Sequence, residues 1–519
     1  MALFSWPWSR ASKVKTVAKR AYNGATFNRQ MLDWIASSTS QDAETRMALR
    51  ALRNRSRDLG RNHDYVVNAF RTIMNNVVGT GVRMQSQIKT GRGPGSGKLD
   101  KNRNLAVEAA WTRWCRARNC HTGGTLSFSA IERLLIRAVA QDGDVGVRMV
   151  YQSFGSSPVP LALEVIEADL LDEELNGRAS NGNEIRMGVE VNEWQRPVAY
   201  HFFDRHPGDY QRPGVNVRKH LRIPADEIIW LFRAERPGMT RGIPWLASTV
   251  TRVRHMGGYE EAEVIAARAS ACQMGFIETP DGDHENDDVI AGEAVTEFQP
   301  GKISSLAAGE KFVSHSPTRP SGLLDPFMRY MLRGVAAGVG VSYESLSKDY
   351  SQSNFSSSRM GMLDDRDNWR IIQLWMIETF HQRVFETWLE RAVLANVLDL
   401  PGFEIAPDRY DTPKWMPRGW AWIDPAKEVK AYKDAVRCGF MTQTSVLAQN
   451  GEDFDETVAA RRRELDAAEE NGIIWDTDPK VTTVNGQLQG DAAPEPAETN
   501  VDGDGNSSGT DADKEVEKA

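Results

Sequence analysis

Ser345-Leu346-Ser347-Lys348 has the S-x-x-K spacing in which a lysine amine can take the proton of a serine nucleophile. Lys89-Thr90-Gly91 matches the K-T-G element that accompanies such a serine in penicillin-binding enzymes. There, however, K-T-G follows the nucleophile; here it precedes it, and no S-D-N element lies between them in the required order. A serine-rich stretch meets a four-character pattern by chance, so the spacing implies no acyl enzyme. Gly97-Lys98 resembles the end of a phosphate-binding loop, but Arg92 stands where the first glycine is required and Leu99 replaces the magnesium-binding hydroxyl. GRGPGSGKLDKN, residues 91–102, reads as an exposed glycine-rich loop.

Two further groups have ligand chemistry. Cys115, Cys120 and His121 offer three donors, but no second Cys/His pair lies nearby to complete a zinc site. Asp364, Asp365 and Asp367 could hold a divalent ion, as acidic clusters do in nucleases. The plainer reading puts them in the first turn of a long helix, where carboxylates meet the positive end of the dipole. No G-x-S-x-G, H-E-x-x-H or complete nucleotide-binding loop occurs.

The chain that must position these residues has 519 of them and a mass of 58.0 kDa, enough for two to four domains with ample core. Its net charge of −8 and pI near 5.7 argue against binding nucleic acid through overall charge. Four cysteines are too few for a disulfide scaffold of this size. The N-terminus puts apolar residues before its charges, the reverse of a signal peptide, and no apolar run is long enough to span a membrane.

Residues 1–30 carry basic side chains and no acid, as in a mobile arm or a helix lying on an acidic or phosphate surface. Residues 40–78 have helical periodicity, with Arg50, Arg53, Arg57 and Arg61 among Met47, Leu52 and Leu59, and end at Gly79-Thr-Gly81. Helices follow through Trp111 and Trp114 and from Ser127 to Ala140. Between 145 and 240, short β-rich runs alternate with Gly, Pro and Asn, the pattern of antiparallel strands in a mixed domain. From 243 a helix of roughly 30 residues (~45 Å) is expected, with Pro244 in its first turn. Asp325-Pro326 is expected to cap a second helix, and a third of roughly 38 residues (~57 Å) to run to about 398. Between these last two lies SKDYSQSNFSSSRMG, residues 347–361, unusually rich in serine. Asp424-Pro425 opens a small helical domain at 424–475, and the acidic, Gly-rich text beyond 476 reads as disordered.

Four of these segments, in order, resemble the motifs of tailed-bacteriophage portal proteins. RSRDLGRNHDYVVNAFRTIMNNVVGTGVRMQ (55–85) is similar to the early helix that runs into a V-G-x-G turn. ERPGMTRGIPWLASTVTRVRHMGGYEEAEVIAARASA (235–271) is similar to the next segment, with its Gly-x-Pro-Trp helix start. YSQSNFSSSRMGMLDDRDNWR (350–370) and residues 417–473 resemble the lambda-type branch. The resemblance covers roughly residues 40–475.

It implies a mixed α+β, helix-rich fold of wing, stem, clip and crown in a ring oligomer, usually of twelve subunits. The wing would be 31–242 and the first stem helix 243–275. The clip would be 276–320, the second stem helix 321–340 and a channel loop 341–358. The long helix and wing return would occupy 359–423 and the crown 424–475. The arm at 1–30 is trimmed by the head protease in some lambda-type heads. The same resemblance implies a ring at one capsid vertex of the virion, assembled in the host cytoplasm, that nucleates the procapsid, conducts double-stranded DNA in packaging and ejection, and joins head to tail. Partners would be other copies of the chain, the terminase large subunit, an adaptor or head-completion protein, the major capsid protein, a scaffold or head protease, and the DNA. No cofactor, metal or membrane is implied, and ATP hydrolysis belongs to the terminase.

Within that frame the serine loop becomes the place where the channel meets DNA. Lys348, Ser351, Gln352, Ser353, Asn354, Ser356, Ser357, Ser358 and Arg359 are the expected contacts. Hydroxyl and amide groups give weak, replaceable bonds to phosphate oxygens, whereas every added cation strengthens binding and slows release. The alternative is a DNA-processing enzyme of the packaging machinery, a nuclease using Asp364 and Asp365 or an ATPase using Lys98.

Overall fold

The computed structural model describes residues 38–91, 97–209, 220–271, 275–278, 289–290, 293–294, 311–314, 324–352, 354–420, 425–450, 452–473 and 475. The expected basic arm, the acidic tail beyond 476, Cys272, Ser353 and most of the expected clip at 276–320 lie outside them. The chain divides into two compact units, Met1–Pro425 and Ala426–Ala519.

Helix α1 (Gln41–Asn62) starts at Ser40, whose hydroxyl accepts from the Ala43 amide at 3.3 Å, and carries Asp42 and Glu44 in its first turn. The single helix expected over 40–78 is interrupted. His63 is extended (φ −116°, ψ 115°), and α2 (Asp64–Val77) begins afresh with the Tyr65 amide bonded to the Asp64 carboxylate. The inward face of α1 carries Leu49 and Arg53, while Met47 points out. Strand β1 (Arg83–Ser86) pairs antiparallel with the distant segment Pro413–Met416. Three helices follow, α3 (Lys101–Trp114), α4 (Ala117–Cys120) and α5 (Phe128–Asp142), the first capped by Asp100 and the last by Ser127.

The β-rich text forms two antiparallel sheets, as its alternation predicts. Strands β2 (Asp144–Val150) and β3 (Ala162–Ile166) join a later strand, while β4 (Gly177–Arg178), β5 (Glu184–Arg186), β6 (Val189–Val191), β7 (Pro197–Phe203) and β8 (His220–Pro224) form a meander in sequence order. Strand β9 (Ile228–Phe232) completes the first sheet, in the order β3-β2-β9.

Helix α6 (Val250–Ala271) begins later than the expected residue 243. Residues 244–249 instead make tight turns, with the Ala247 amide donating to the Pro244 carbonyl and the Thr249 amide to that of Leu246. The cause is docking: the Trp245 amide donates to the Ala140 carbonyl, and Gly242 lies so close to Gly143 that an added Cβ would sit 2.0 Å from its carbonyl oxygen. The Gly-x-Pro-Trp start is therefore a contact with the end of α5 as well as a helix signal.

Strand β10 (Gly275–Glu278) is followed by the short pair β11 (Val289–Ile290) and β12 (Glu293–Ala294) and by β13 (Lys311–Ser314), which returns antiparallel to β10. Helix α7 (Leu324–Val339) packs back on α6. Gly338 permits that approach, since a Cβ there would lie 2.2 Å from Thr249 Cγ2. Asp325, expected as the cap, lies in the first turn and pairs with Arg329 at 2.9 Å. A short α8 (Tyr343–Ser347) precedes α9 (Phe355–Met376), a π-helical turn (Ile377–His381) and α10 (Gln382–Leu394). The long helix thus occupies 355–394, about one turn earlier than the expected 359–398. Asn396 ends it in the left-handed conformation (φ 54°), which returns the Val397 amide to the Ala392 carbonyl.

The long helix supplies the centre of the core. Trp369, Ile372, Met376, Phe380, Val384, Phe385, Trp388 and Leu389 are buried against α2, α3 and α5. The π turn adds one residue to the helical phase, so that Phe380 and His381 both face inward. Trp111 makes edge contacts with Phe128, Phe385 and Trp388 at centroid distances of 5.2, 5.5 and 5.0 Å, each worth about 0.5–1.5 kcal/mol beyond its burial. One polar cluster penetrates this interior. Arg241 Nε donates to Asp144 Oδ2 at 2.6 Å and its other nitrogens to the Ala168, Leu171 and Met187 carbonyls, while Arg53 reaches Asp144 at 3.3 Å and Asp169 at 3.0 Å.

After the strand at Pro413–Met416, here β14, the second unit contains α11 (Pro425–Arg437), α12 (Gln443–Gln449) and α13 (Phe454–Glu470), the last two capped by Thr442 and Asp453. Among its described residues only Asp453 and Ala468 are buried. No helix among the described residues is long and apolar enough to cross a membrane.

Candidate functional site

The serine-rich segment is a short loop between two anchored helix ends. Ser342 caps α8, its hydroxyl accepting from the Ser345 amide at 3.4 Å. Lys348 closes α8 in the left-handed conformation (φ 59°, ψ 19°), with its amide on the Glu344 carbonyl at 2.9 Å and its side chain exposed. The next residue shapes the loop. Asp349 accepts from the Ser351 amide at 3.0 Å, the Ser351 hydroxyl at 2.6 Å and the Tyr343 hydroxyl at 2.9 Å. Arg329 of α7 lies 3.6 Å from Asp349 and donates to the Ser351 hydroxyl at 3.4 Å. The Ser351 bonds, with help from Tyr343 and the Arg329 charge, hold the Asp349 carboxyl down at about 2.

The expected channel loop at 341–358 is therefore narrower, 348–354, because α8 occupies its first part and α9 its last. Lys348, Ser351, Gln352 and Asn354 lie on it, with Lys348, Ser351 and Gln352 exposed. Ser353 lies outside the described residues. Ser356, Ser357, Ser358 and Arg359 belong to the first turns of α9, and Ser358 and Arg359 are half-buried there. The reason is the sequence N-F-S-S-S-R: asparagine and serine favour a helix start, and the Ser358 amide already bonds the Asn354 carbonyl at 3.0 Å. Asp349, Tyr343 and Arg329 escaped the sequence reading, although D-x-S is itself a turn signal.

The acidic cluster is not in the first turn of the long helix, as the sequence suggested. Asp365 lies mid-helix and buried, reaching across to the start of α8. It accepts from the Ser342 amide at 2.7 Å, the Ser342 hydroxyl at 2.7 Å and the Ser345 hydroxyl at 2.9 Å. Burial raises its pKa, against the lowering effect of these bonds. Ser345, the serine of the S-x-x-K pattern, thus spends its hydrogen on a buttress between α8 and α9. Asp367 pairs with Arg370 of its own helix at 2.9 Å.

The cysteine group is equally inert. Burial pushes the Cys115 thiol well above its usual range and that of Cys120 to about 12, so neither offers a thiolate. His121 Nδ1 instead faces the Thr125 and Leu126 amides at 3.3 and 3.4 Å. Glu167, Asp169 and His206 do converge at ligand distances, but Arg57 already bridges both carboxylates, at 2.9 Å to Glu167.

Residues 27–373 match the family model described as phage portal protein, lambda family. The chain is 32% identical over 460 residues to the probable portal protein of Halomonas phage phiHAP-1, covering 87% of each. It is 23% identical over 475 residues to portal protein B of Escherichia phage lambda, covering 85% of this chain and 88% of that one. Among solved structures, a chain from the neck of an empty GTA particle aligns with a TM-score of 0.41 at 13% identity, covering 76% of this chain and 93% of that one.

Proposed function

The chain belongs to the lambda family of phage portal proteins, and we propose that copies of it form a ring at one capsid vertex that nucleates the procapsid and conducts double-stranded DNA. Portal proteins are structural parts of the phage head-tail connector, and this chain is one of them rather than an enzyme. In the proposed ring α6 and α7 are the stem helices, the segment between them is the clip, and α11 to α13 belong to the crown. The ring, usually twelvefold in this family, passes DNA inward during packaging and outward during ejection, and joins head to tail in the virion after assembly in the host cytoplasm. Its partners are the major capsid protein, a scaffold or head protease, the terminase large subunit that hydrolyses ATP, and the adaptor that replaces it.

The observation that carries the reading is the match over most of the chain. The loop at 348–354 supports the DNA contact: it is exposed, short, and tied at both ends to helices of the core. It offers one ammonium, Lys348, among neutral polar groups. That composition suits a duplex that must slide, because few phosphates are neutralised per subunit. The nuclease alternative loses its main residue, since Asp365 is occupied by serine donors.

Electron microscopy of the purified full-length protein tests the reading. Rings with a central hole are expected; a strictly monomeric species under assembly conditions overturns it.

A further inference from the structure

The longest helix leaves one face of its first half bare. Met360, Leu363, Ile371 and Leu374 are 75%, 44%, 63% and 56% exposed. At 100° per residue they share a single stripe with exposed Asp364, Asp367 and Glu378. The opposite side of the same helix holds Trp369, Ile372 and Met376 in the core, so the stripe cannot turn inward. Four large apolar side chains in a row on a charged chain mark a contact surface.

A second bare stripe lies on α6. Its buried side carries Val253 and Met256, and its outer side carries Val264 and Ile265, 49% and 57% exposed, with exposed Arg254, Glu261 and Arg268. The signs are complementary: acids flank the apolar residues of α9, and arginines end the stripe on α6. Arg254 and Arg268 are about four turns (~21 Å) apart, and Asp364 and Glu378 have the same separation. Within one chain α6 packs on α1 and α7, and α9 on α2.

We propose that the α9 stripe of one copy packs against the α6 stripe of the next, so that the ring closes through this pair of unlike surfaces. This rests on the ring reading above. A ring needs a heterologous contact, in which two different patches meet, and a single self-complementary patch would stop at a dimer. The occupant is a second copy because the matching apolar length and opposite charge are both carried by this chain. The apolar residues then form the dry centre of the contact and the charges its rim.

The test is cross-linking with a short bis-maleimide in a full-length background carrying Cys272→Ser and Cys438→Ser. Ile265→Cys together with Ile371→Cys is expected to give a ladder of covalent oligomers, and either cysteine alone none. Ile371→Glu is expected to lower the ring fraction about tenfold or more at fixed concentration, because it buries an unpaired carboxylate. Ile371→Leu should keep the rings, and an unchanged melting profile of the Ile371→Glu subunit separates lost contact from lost folding. Rings that persist in Ile371→Glu, a double-cysteine ring that gives no ladder, or a dimer linked through Ile371→Cys alone overturns the seam while leaving the ring reading intact. A wild-type protein that never forms rings overturns the ring reading and the seam with it.

Discussion

His381 Nε2 lies 2.5 Å from Glu132 Oε1, joining the π turn of the long helix to α5 with both side chains sealed from solvent. The other ring nitrogen faces the Met376 carbonyl at 3.1 Å, an acceptor only, so Nδ1 carries hydrogen and a second hydrogen lies between Nε2 and the carboxylate. Glu132 also accepts from the Val82 amide at 3.3 Å, which ties in the turn after α2. Removing either partner strands a buried polar group. His381→Leu or Glu132→Leu alone should cost about 3–5 kcal/mol, and the double variant clearly less than the sum. Chemical denaturation of the four proteins measures the coupling; strict additivity would show that the pair contributes nothing.

Arg241 is the most completely engaged cation in the described interior, and it stands directly before the Gly-x-Pro-Trp segment. Arg241→Met keeps much of the volume but leaves the Asp144 carboxylate with Arg53 as its remaining cation. We expect a loss of about 3–5 kcal/mol, whereas Arg241→Lys should lose less but remain destabilised, since an ammonium cannot reach three carbonyls and a carboxylate at once. Urea midpoints at constant slope decide it.

Asp411 titrates near neutrality. Burial, then the Glu386 charge, raises its pKa to about 6, against the opposing Gln382 amide that donates to both its oxygens. The sign follows from proton counting. Between about pH 4 and 6 the folded chain holds a proton that the unfolded chain has released, so this group's contribution to stability falls as pH rises through that window. Asp411→Asn should therefore gain roughly 1 kcal/mol over the wild type at pH 8, after allowing for partial solvation, and nothing at pH 3.5. Melting temperatures across pH test this; a gap that widens toward acid refutes it.

Lys348 is the exposed cation of the loop, and Ser351 is held by Asp349 and Arg329. Lys348→Glu is expected to leave ring assembly unchanged and to reduce DNA-filled particles several-fold in a complementation assay, through repulsion of phosphate by every subunit. Asp349→Ala should loosen the loop and give a milder defect of the same kind. Loss of rings in either variant would make the segment structural rather than a contact for DNA.

Much of this architecture was legible in residues 40–475. The helices over α2, α5, α7 and α9 follow from apolar spacing, and the caps at Ser40, Asp100 and Ser127 from residue type. The antiparallel strands between 145 and 240 follow from alternation. The serine loop was found but drawn too wide, because serine favours loops and helix starts alike, and only the Ser358-to-Asn354 bond separates the two. Asp365 was assigned to a helix end because its real partners, Ser342 and Ser345, lie on another helix.

The amino-acid sequence alone determined the family, the order of the elements and the periodicity of each helix, since these depend on residues within a turn or two of one another. Tertiary structure decided which charges are buried and where the bare faces lie. Arg53 and Asp144 are 91 residues apart, and Glu132 and His381 are 249 apart. An arginine on an amphipathic helix looks the same in text whether it meets water or a carboxylate. Its burial becomes favourable only when a distant strand brings the compensating charge within about 3 Å, where Coulomb attraction and hydrogen bonds offset the loss of hydration.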